Sequence, residues 1–181
     1  IPENLMESEF FGYEEGSFTG GVKGGKAGKF EKAHLGSMFL DEINAMSLKM
    51  QPKLLRALQE KEIERVGGTE SIPVNVRVLS ASNMPLDYLV EQGVFRRDLF
   101  YRLNIITVKI PPLRRRKEDI LPLTQSFIKR YNSELCRNVS GISDGALQYL
   151  TEYDWPGNVR ELQNVIERVM ASTWEDRLDV E

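Results

Sequence analysis

Met38-Phe39-Leu40-Asp41-Glu42 is the stretch on which the fold turns. Three consecutive apolar residues suit a short strand covered on both faces, as strands are inside parallel sheets. The run ends abruptly in two carboxylates. In an open α/β sheet, ligands gather at the carboxyl ends of the strands, where Asp41 and Glu42 emerge. A carboxylate there can hold magnesium through its water shell, and a neighbouring one can orient or deprotonate an attacking water. An acidic pair can equally begin a solvated turn, so the flanking segments must decide.

Downstream, Ser47 can cap a helix reaching about Glu60, with Leu48, Leu54, Leu55 and Leu58 on one face and Pro52 early enough to be tolerated. Ile63 to Val66 and Ile72 to Val74, separated by Gly67-Gly68, read as a β-hairpin. Val76 to Ala81 is a further strand ending in the polar pair Ser82-Asn83. The Asn83 amide can hydrogen-bond both a γ-phosphate and an attacking water, or simply precede the helix that Pro85 opens and Gly93 closes. Ile105 to Ile110 is a β-branched strand that Pro111-Pro112 terminates. Strands alternating with helices predict an α/β sheet with helices on both faces. Beyond Pro112 no strand pattern returns. Three helices are predicted, over about Asp119 to Asn132, from Ser143 to about Tyr153, and from Asn158 onward. We place a subdomain boundary near Leu113, giving an α/β part over 1–113 and a helical part over 114–181.

Upstream, residues 12–28 are crowded with glycine and read as one long mobile loop. Within it, Gly16-Ser17-Phe18-Thr19-Gly20-Gly21 sets a large aromatic among glycines, which suits a moving contact with a partner. Gly20 to Ala27 fits G-x-x-x-x-G-K and then has Ala27 where Ser or Thr should ligate magnesium. It also follows no predicted strand and opens no convincing helix, so it is rejected as a phosphate loop.

Arginines occupy two further places. Phe95 to Leu103 sets Arg96 and Arg102 among aromatics, where a guanidinium could reach a neighbour's γ-phosphate or pair locally with Asp98. In Trp155-Pro156-Gly157-Asn158-Val159-Arg160-Glu161-Leu162, Asn158 and Glu161 have capping-box spacing. Arg160 then lies in the first helical turn, against the helix dipole, where either an anion normally sits or Glu161 simply neutralises it. The run Arg114 to Lys117 reads as a solvated face paired with Glu118 and Asp119.

The 181 residues carry a net charge of −3, with 41% hydrophobic and 28% charged residues. That is an ordinary globular balance with no global electrostatic reason to bind nucleic acid. No apolar run approaches a membrane span and no signal peptide is visible, so a cytoplasmic location is expected. The single cysteine, Cys136, excludes an internal disulfide and is read as inert packing, and the single histidine, His34, as a surface residue.

Taken in order, these segments resemble the AAA+ domain of bacterial sigma-54-dependent transcription activators, also called enhancer-binding proteins. Glu9 to Glu15 leading into Gly16 to Gly21 is similar to the family's loop, usually written GAFTGA, with Ser17 and Gly21 where alanine is commonest. Gly36 to Ile43 is similar to its Walker B segment, Arg77 to Asn83 to sensor I, Phe95 to Leu103 to the arginine-finger segment, and Trp155 to Leu162 to sensor II. The resemblance implies a P-loop NTPase-type parallel sheet flanked by helices, followed by an all-α lid. It further implies that the first strand and phosphate loop lie upstream of Ile1 and that a DNA-binding domain lies outside this chain, which would make the chain a piece of a longer protein.

By the same resemblance, Asp41 positions magnesium, Glu42 activates water and Asn83 senses the γ-phosphate of ATP. Arg96 and Arg102 act in trans, and Arg160 in cis. Phe18 and Thr19, flanked by Gly16 and Gly20, contact sigma-54. The implied partners are sigma-54, further copies in a hexameric or heptameric ring, and promoter or enhancer DNA through the absent domain. Two rival readings remain: a non-hydrolysing regulatory or oligomerisation module, and another AAA+ remodeller such as a chelatase or unfoldase subunit.

Overall fold

The computed structural model describes residues 3–17, 24–172 and 174–179. The chain divides into two compact units, residues 1–107 and 108–181, taken in turn below.

In the first unit, α1 (Glu3–Phe11) delivers the chain into β1 (Gly12–Tyr13), which pairs antiparallel with β2 (Lys26–Ala27). The glycine-rich segment predicted as one loop over 12–28 is therefore closed at its base by a two-stranded ladder. Gly12 (φ +81°) and Gly28 approach so closely that a side chain on either would strike the other's backbone. The short helix α2 (Lys29–Lys32) follows, and its Phe30 stacks on Phe11 at 5.6 Å in the core. Neither α1 nor α2 was predicted. Apolar positions 5, 6, 10 and 11 scatter around α1 instead of forming a stripe, and four residues are too few to reveal a period.

The acid-tipped strand is β3 (Ser37–Leu40), followed by a 3₁₀ turn, Ile43–Ala45, and α3 (Gln51–Gln59). The predicted start of this helix at Ser47 is corrected. Residues 48–50 form a turn, and Leu48 is exposed instead of sharing the buried face of Leu54. Pro52 falls in the first turn of α3, where no helical partner is lost. The predicted hairpin forms from β4 (Glu62–Glu64) and β5 (Ser71–Pro73), with Ile63 opposite Ile72. Then β6 (Arg77–Ser80) lies parallel to β3, with Ser37 opposite Arg77 and Leu40 opposite Ser80. Two helices complete the unit: α4 (Leu86–Glu91), entered through Pro85 with Gly93 at φ +69° beyond its end, and α5 (Arg97–Leu103).

The predicted strand over Ile105 to Ile110 is not present. The segment pairs with no strand among the described residues, and Ile105, Ile106, Val108 and Ile110 are 75–84% exposed. β-Branched residues favour an extended backbone, but a ladder also needs a neighbour to satisfy its N–H and C=O groups.

The second unit is helical. In α6 (Ile120–Leu135) the buried positions Ile120, Thr124, Ile128 and Tyr131 keep helical spacing. In α7 (Asp144–Glu152) the first turn is capped as predicted, the Ser143 hydroxyl accepting from Ala146 N–H at 3.1 Å. In α8 (Asn158–Ser172) Leu162, Ile166 and Met170 recur every fourth residue and face α6. Cys136 departs from its expectation: it is exposed and ends α6 with a left-handed backbone at φ +53°. No helix among the described residues is long and apolar enough to cross a membrane.

Candidate functional site

The parallel pairing of β3 and β6 builds the site. The ladder continues past both strands: Ala81 N–H donates to Leu40 C=O at 2.8 Å, and Ile43 N–H to Ala81 C=O at 3.0 Å. Asp41-Glu42 and Ser82-Asn83 thus leave adjacent strands at their carboxyl ends. Pinned on both sides, Glu42 adopts a left-handed backbone at φ +51°. Such a conformation costs a non-glycine residue about 1–3 kcal/mol and persists only where the surroundings impose it. The Asp41 carboxylate accepts from Glu42 N–H at 2.9 Å. The Ser82 hydroxyl lies 2.5 Å from Met84 C=O and 3.0 Å from Asn44 Oδ1, fixing the turn that carries Asn83. The side chains of Glu42 and Asn83 are exposed and bond to nothing among the described residues.

Arg96 caps the start of α5, and Arg102 lies in its last turn. The Arg96 guanidinium grips Asp98 through two hydrogen bonds of 2.7 and 3.0 Å. This bond raises the arginine's pKa and holds the Asp98 carboxyl below its usual range. The local pairing weighed for Arg96 is thus formed, as an exposed ion pair of the weak kind. Arg102 donates to Leu58 C=O at 2.8 Å.

Arg160, in the second unit, is exposed and bonded to nothing among the described residues. The capping box foreseen for α8 is rearranged. The Asn158 side chain accepts from Leu113 N–H at 2.9 Å, while Glu161 accepts from Gly157 N–H at 2.8 Å. Asn158 has φ +53°, and its side-chain amide also donates to Pro156 C=O at 3.4 Å, while Glu161 N–H donates to Gly157 C=O at 3.2 Å. In the predicted basic run, Arg116 pairs with Asp119 at 3.2 Å.

Of the predicted contact loop, Phe18, Thr19 and Gly20 lie outside the described residues. Its root docks on the turn of the β4–β5 hairpin through Gly12, Glu14 and Ser17, with Gly16 between the last two at φ +82°. Glu14 N–H donates to Val66 C=O at 3.0 Å, Val66 N–H to Gly12 C=O at 2.9 Å, and the Ser17 hydroxyl lies 2.7 Å from Val66 C=O. Gly67 (φ +77°) is required where it packs on Ser17. Arg65 ties the turn down with two bonds to Glu31, at 2.7 and 2.9 Å, and a third to Glu14 at 3.1 Å. These partners are 34 and 51 residues away in sequence, so no local spacing signals the cluster.

The Arg65 hydrogen bond holds the Glu31 carboxyl below its usual range. A depressed folded pKa stabilises the fold above the unfolded value, and that contribution disappears as pH falls through the folded value. Glu31→Gln is therefore expected to cost about 1 kcal/mol at pH 7, the low end for a charge-assisted pair because Arg65 is partly solvated. The cost should shrink progressively as pH falls below the ordinary glutamate value and on through the lower, folded one. Urea midpoints at pH 7 and pH 3 check this, and a deficit equal at both would show that the pairing is not its source.

Comparison with known proteins agrees with this architecture. Residues 1–109 match the sigma-54 interaction domain, and residues 114–181 match the AAA+ ATPase lid domain. The chain belongs to the sigma-54 interaction domain family, as its resemblance to sigma-54-dependent activators implied. It is 51% identical over 173 residues to the DNA-binding transcriptional activator HyfR of Escherichia coli (strain K12), covering 96% of this chain and 26% of that protein. It is 49% identical over 171 residues to the regulatory protein AtoC of the same organism, covering 94% of this chain and 37% of the relative. NtrX from Brucella abortus in complex with ADP superposes with a TM-score of 0.85 at 37% identity, over 94% of this chain and 37% of that one. NtrX has also been solved in complex with ATP, and that structure gives a TM-score of 0.84. The chain thus spans about a quarter to two fifths of the length of these relatives.

Proposed function

We propose that this chain is the ATP-hydrolysing motor module of a cytoplasmic sigma-54-dependent transcription activator. It works in a ring, commonly a hexamer or heptamer, with ATP held between subunits, and remodels the closed promoter complex of sigma-54 RNA polymerase. Promoter or enhancer DNA is bound by another part of the protein. The observation that carries this reading is the meeting of Asp41, Glu42 and Asn83 at the ends of two parallel strands, with Glu42 and Asn83 left unengaged by the fold.

Magnesium-bound ATP supplies the phosphoryl group that passes to water. No cluster of three His, Cys, Asp or Glu side chains able to enclose a metal occurs among the described residues. Asp41 accordingly suits an ion that keeps most of its water shell, as magnesium does. Glu42 accepts a proton from the attacking water, and Asn83 donates from its amide to the γ-phosphate and reports its presence. Arg96 and Arg102 reach the nucleotide of the neighbouring subunit, and Arg160 that of its own. Arg96 can exchange its exposed partner Asp98 for a phosphate at little cost. Phe18 and Thr19, together with Gly16 and Gly20, contact sigma-54 and press on it.

The test uses the full-length protein with sigma-54, magnesium and a transition-state analogue of ATP hydrolysis. Capture of sigma-54 only with the analogue is expected. Turnover with no capture under any nucleotide state would leave another kind of AAA+ remodeller as the better reading. Residues 1–181 alone are expected to show no ATP turnover and weak binding at best, because Gly20 to Ala27 fails as a phosphate loop. Consistent with that, Lys26 and Ala27 lie in β2, and Lys26 pairs with Glu9 at 2.6 Å. Micromolar binding with turnover in a titration of these residues would restore the near-match.

A further inference from the structure

Gln51, at the start of α3, is completely buried yet makes three hydrogen bonds. Its Nε2 donates to Met46 C=O at 2.9 Å and to Val94 C=O at 3.1 Å, and its Oε1 accepts from Arg96 N–H at 2.7 Å. The partners fix the orientation of the amide, since two carbonyls can be met only by its NH₂ and an N–H only by its oxygen. Met46 closes the 3₁₀ turn that begins at Glu42, and Arg96 is the capping residue of α5. Met46, Met50, Phe95 and Leu99, near the amide's partners in sequence, are buried as well. The chain at 46 and at 94–96 is irregular and lacks a ladder to satisfy these backbone groups, so a buried side chain does so. Through one amide, the segment leaving the acid pair and the segment presenting Arg96 are joined.

We propose that Gln51 is a positioning residue that fixes Arg96 relative to the acid pair of its own subunit. The arginine a subunit lends to its neighbour then moves with the site at which that subunit hydrolyses ATP. The inference rests on the ring-ATPase reading above. Arg96 touches the nucleotide, and Gln51 acts only through it.

The test is complementation between variants of the full-length protein. Gln51→Met is expected to lower kcat about 10- to 100-fold, the scale of a misplacement of about 1 Å, with KM for ATP within about twofold of wild type. Mixing it with Glu42→Gln subunits should raise turnover at least fivefold above the sum of the two alone. Where a Gln51→Met subunit holds the ATP and a Glu42→Gln subunit lends Arg96, the interface has both a working acid pair and a seated arginine. Arg96→Ala mixed with Glu42→Gln is the control for action in trans.

If the control pair complements and the Gln51→Met pair does not, Gln51 serves its whole subunit and the positioning role is overturned. Wild-type kcat in Gln51→Met also overturns it. If the control pair itself fails to complement, the trans role of Arg96 falls and the inference falls with it. Should Gln51→Met lose its cooperative melting transition, Gln51→Glu takes its place in the same mixture. It keeps the shape and the oxygen facing Arg96 N–H but loses donors to Met46 and Val94, and the same complementation is expected of it.

Discussion

Glu42→Ala in the full-length protein is expected to lower ATP turnover about 100-fold or more while leaving ATP binding within a few-fold of wild type. General-base assistance typically contributes at least about that factor, and the substitution removes it without touching the groups that hold the nucleotide. The structure makes the experiment clean. The Glu42 carboxylate bonds to nothing among the described residues, so its loss strands no partner. Alanine does inherit the left-handed backbone at φ +51°, and a melting curve on the same preparation measures that effect separately. Asp41→Ala should behave differently, weakening magnesium-dependent binding as well as turnover. Wild-type turnover in Glu42→Ala would remove Glu42 from the reaction.

Phe18→Ala and Thr19→Ala are expected to separate the motor from its output. In the full-length protein, ATP hydrolysis should stay within a few-fold of wild type, while capture of sigma-54 with the transition-state analogue is lost. An aromatic anchor at the centre of a small interface can contribute about 2 kcal/mol or more, which is roughly 30-fold in affinity. The loop root supports the separation. Its contacts run from Glu14 and Ser17 to Arg65 and Val66, and none of them involves Asp41, Glu42 or Asn83. Turnover and sigma-54 binding must be measured on the same preparations. Full sigma-54 binding by Phe18→Ala would sink the loop assignment.

The local elements that carry these residues were legible in the sequence wherever a short-range pattern sufficed. Met38 to Leu40 ending in acids, Val76 to Ala81 ending in Ser82-Asn83, the hairpin about Gly67-Gly68 and the Ser143 cap each depend on neighbouring residues. Periodicity and turn chemistry therefore reveal them. Family membership was legible for the same reason, because its motifs are short words in a fixed order.

Features that needed a second segment were not legible. The Ile105 to Ile110 stretch reads as a strand, but a strand exists only when another chain segment completes its hydrogen bonds. The left-handed turn at Glu42 follows from Ala81 gripping both Leu40 and Ile43, a pairing across 41 and 38 residues that no local propensity encodes. Asn158 was read as a cap because of its type and spacing, yet Leu113, 45 residues away, claims its side chain. The same holds for Gln51. In sequence it is one more residue near Pro52, and only packing turns it inward to meet Met46, Val94 and Arg96. Which strands, caps and motifs occur was thus decided by residue type along the chain. Which of those side chains are engaged, and by what, was decided by tertiary contacts between segments that approach only after the core has closed.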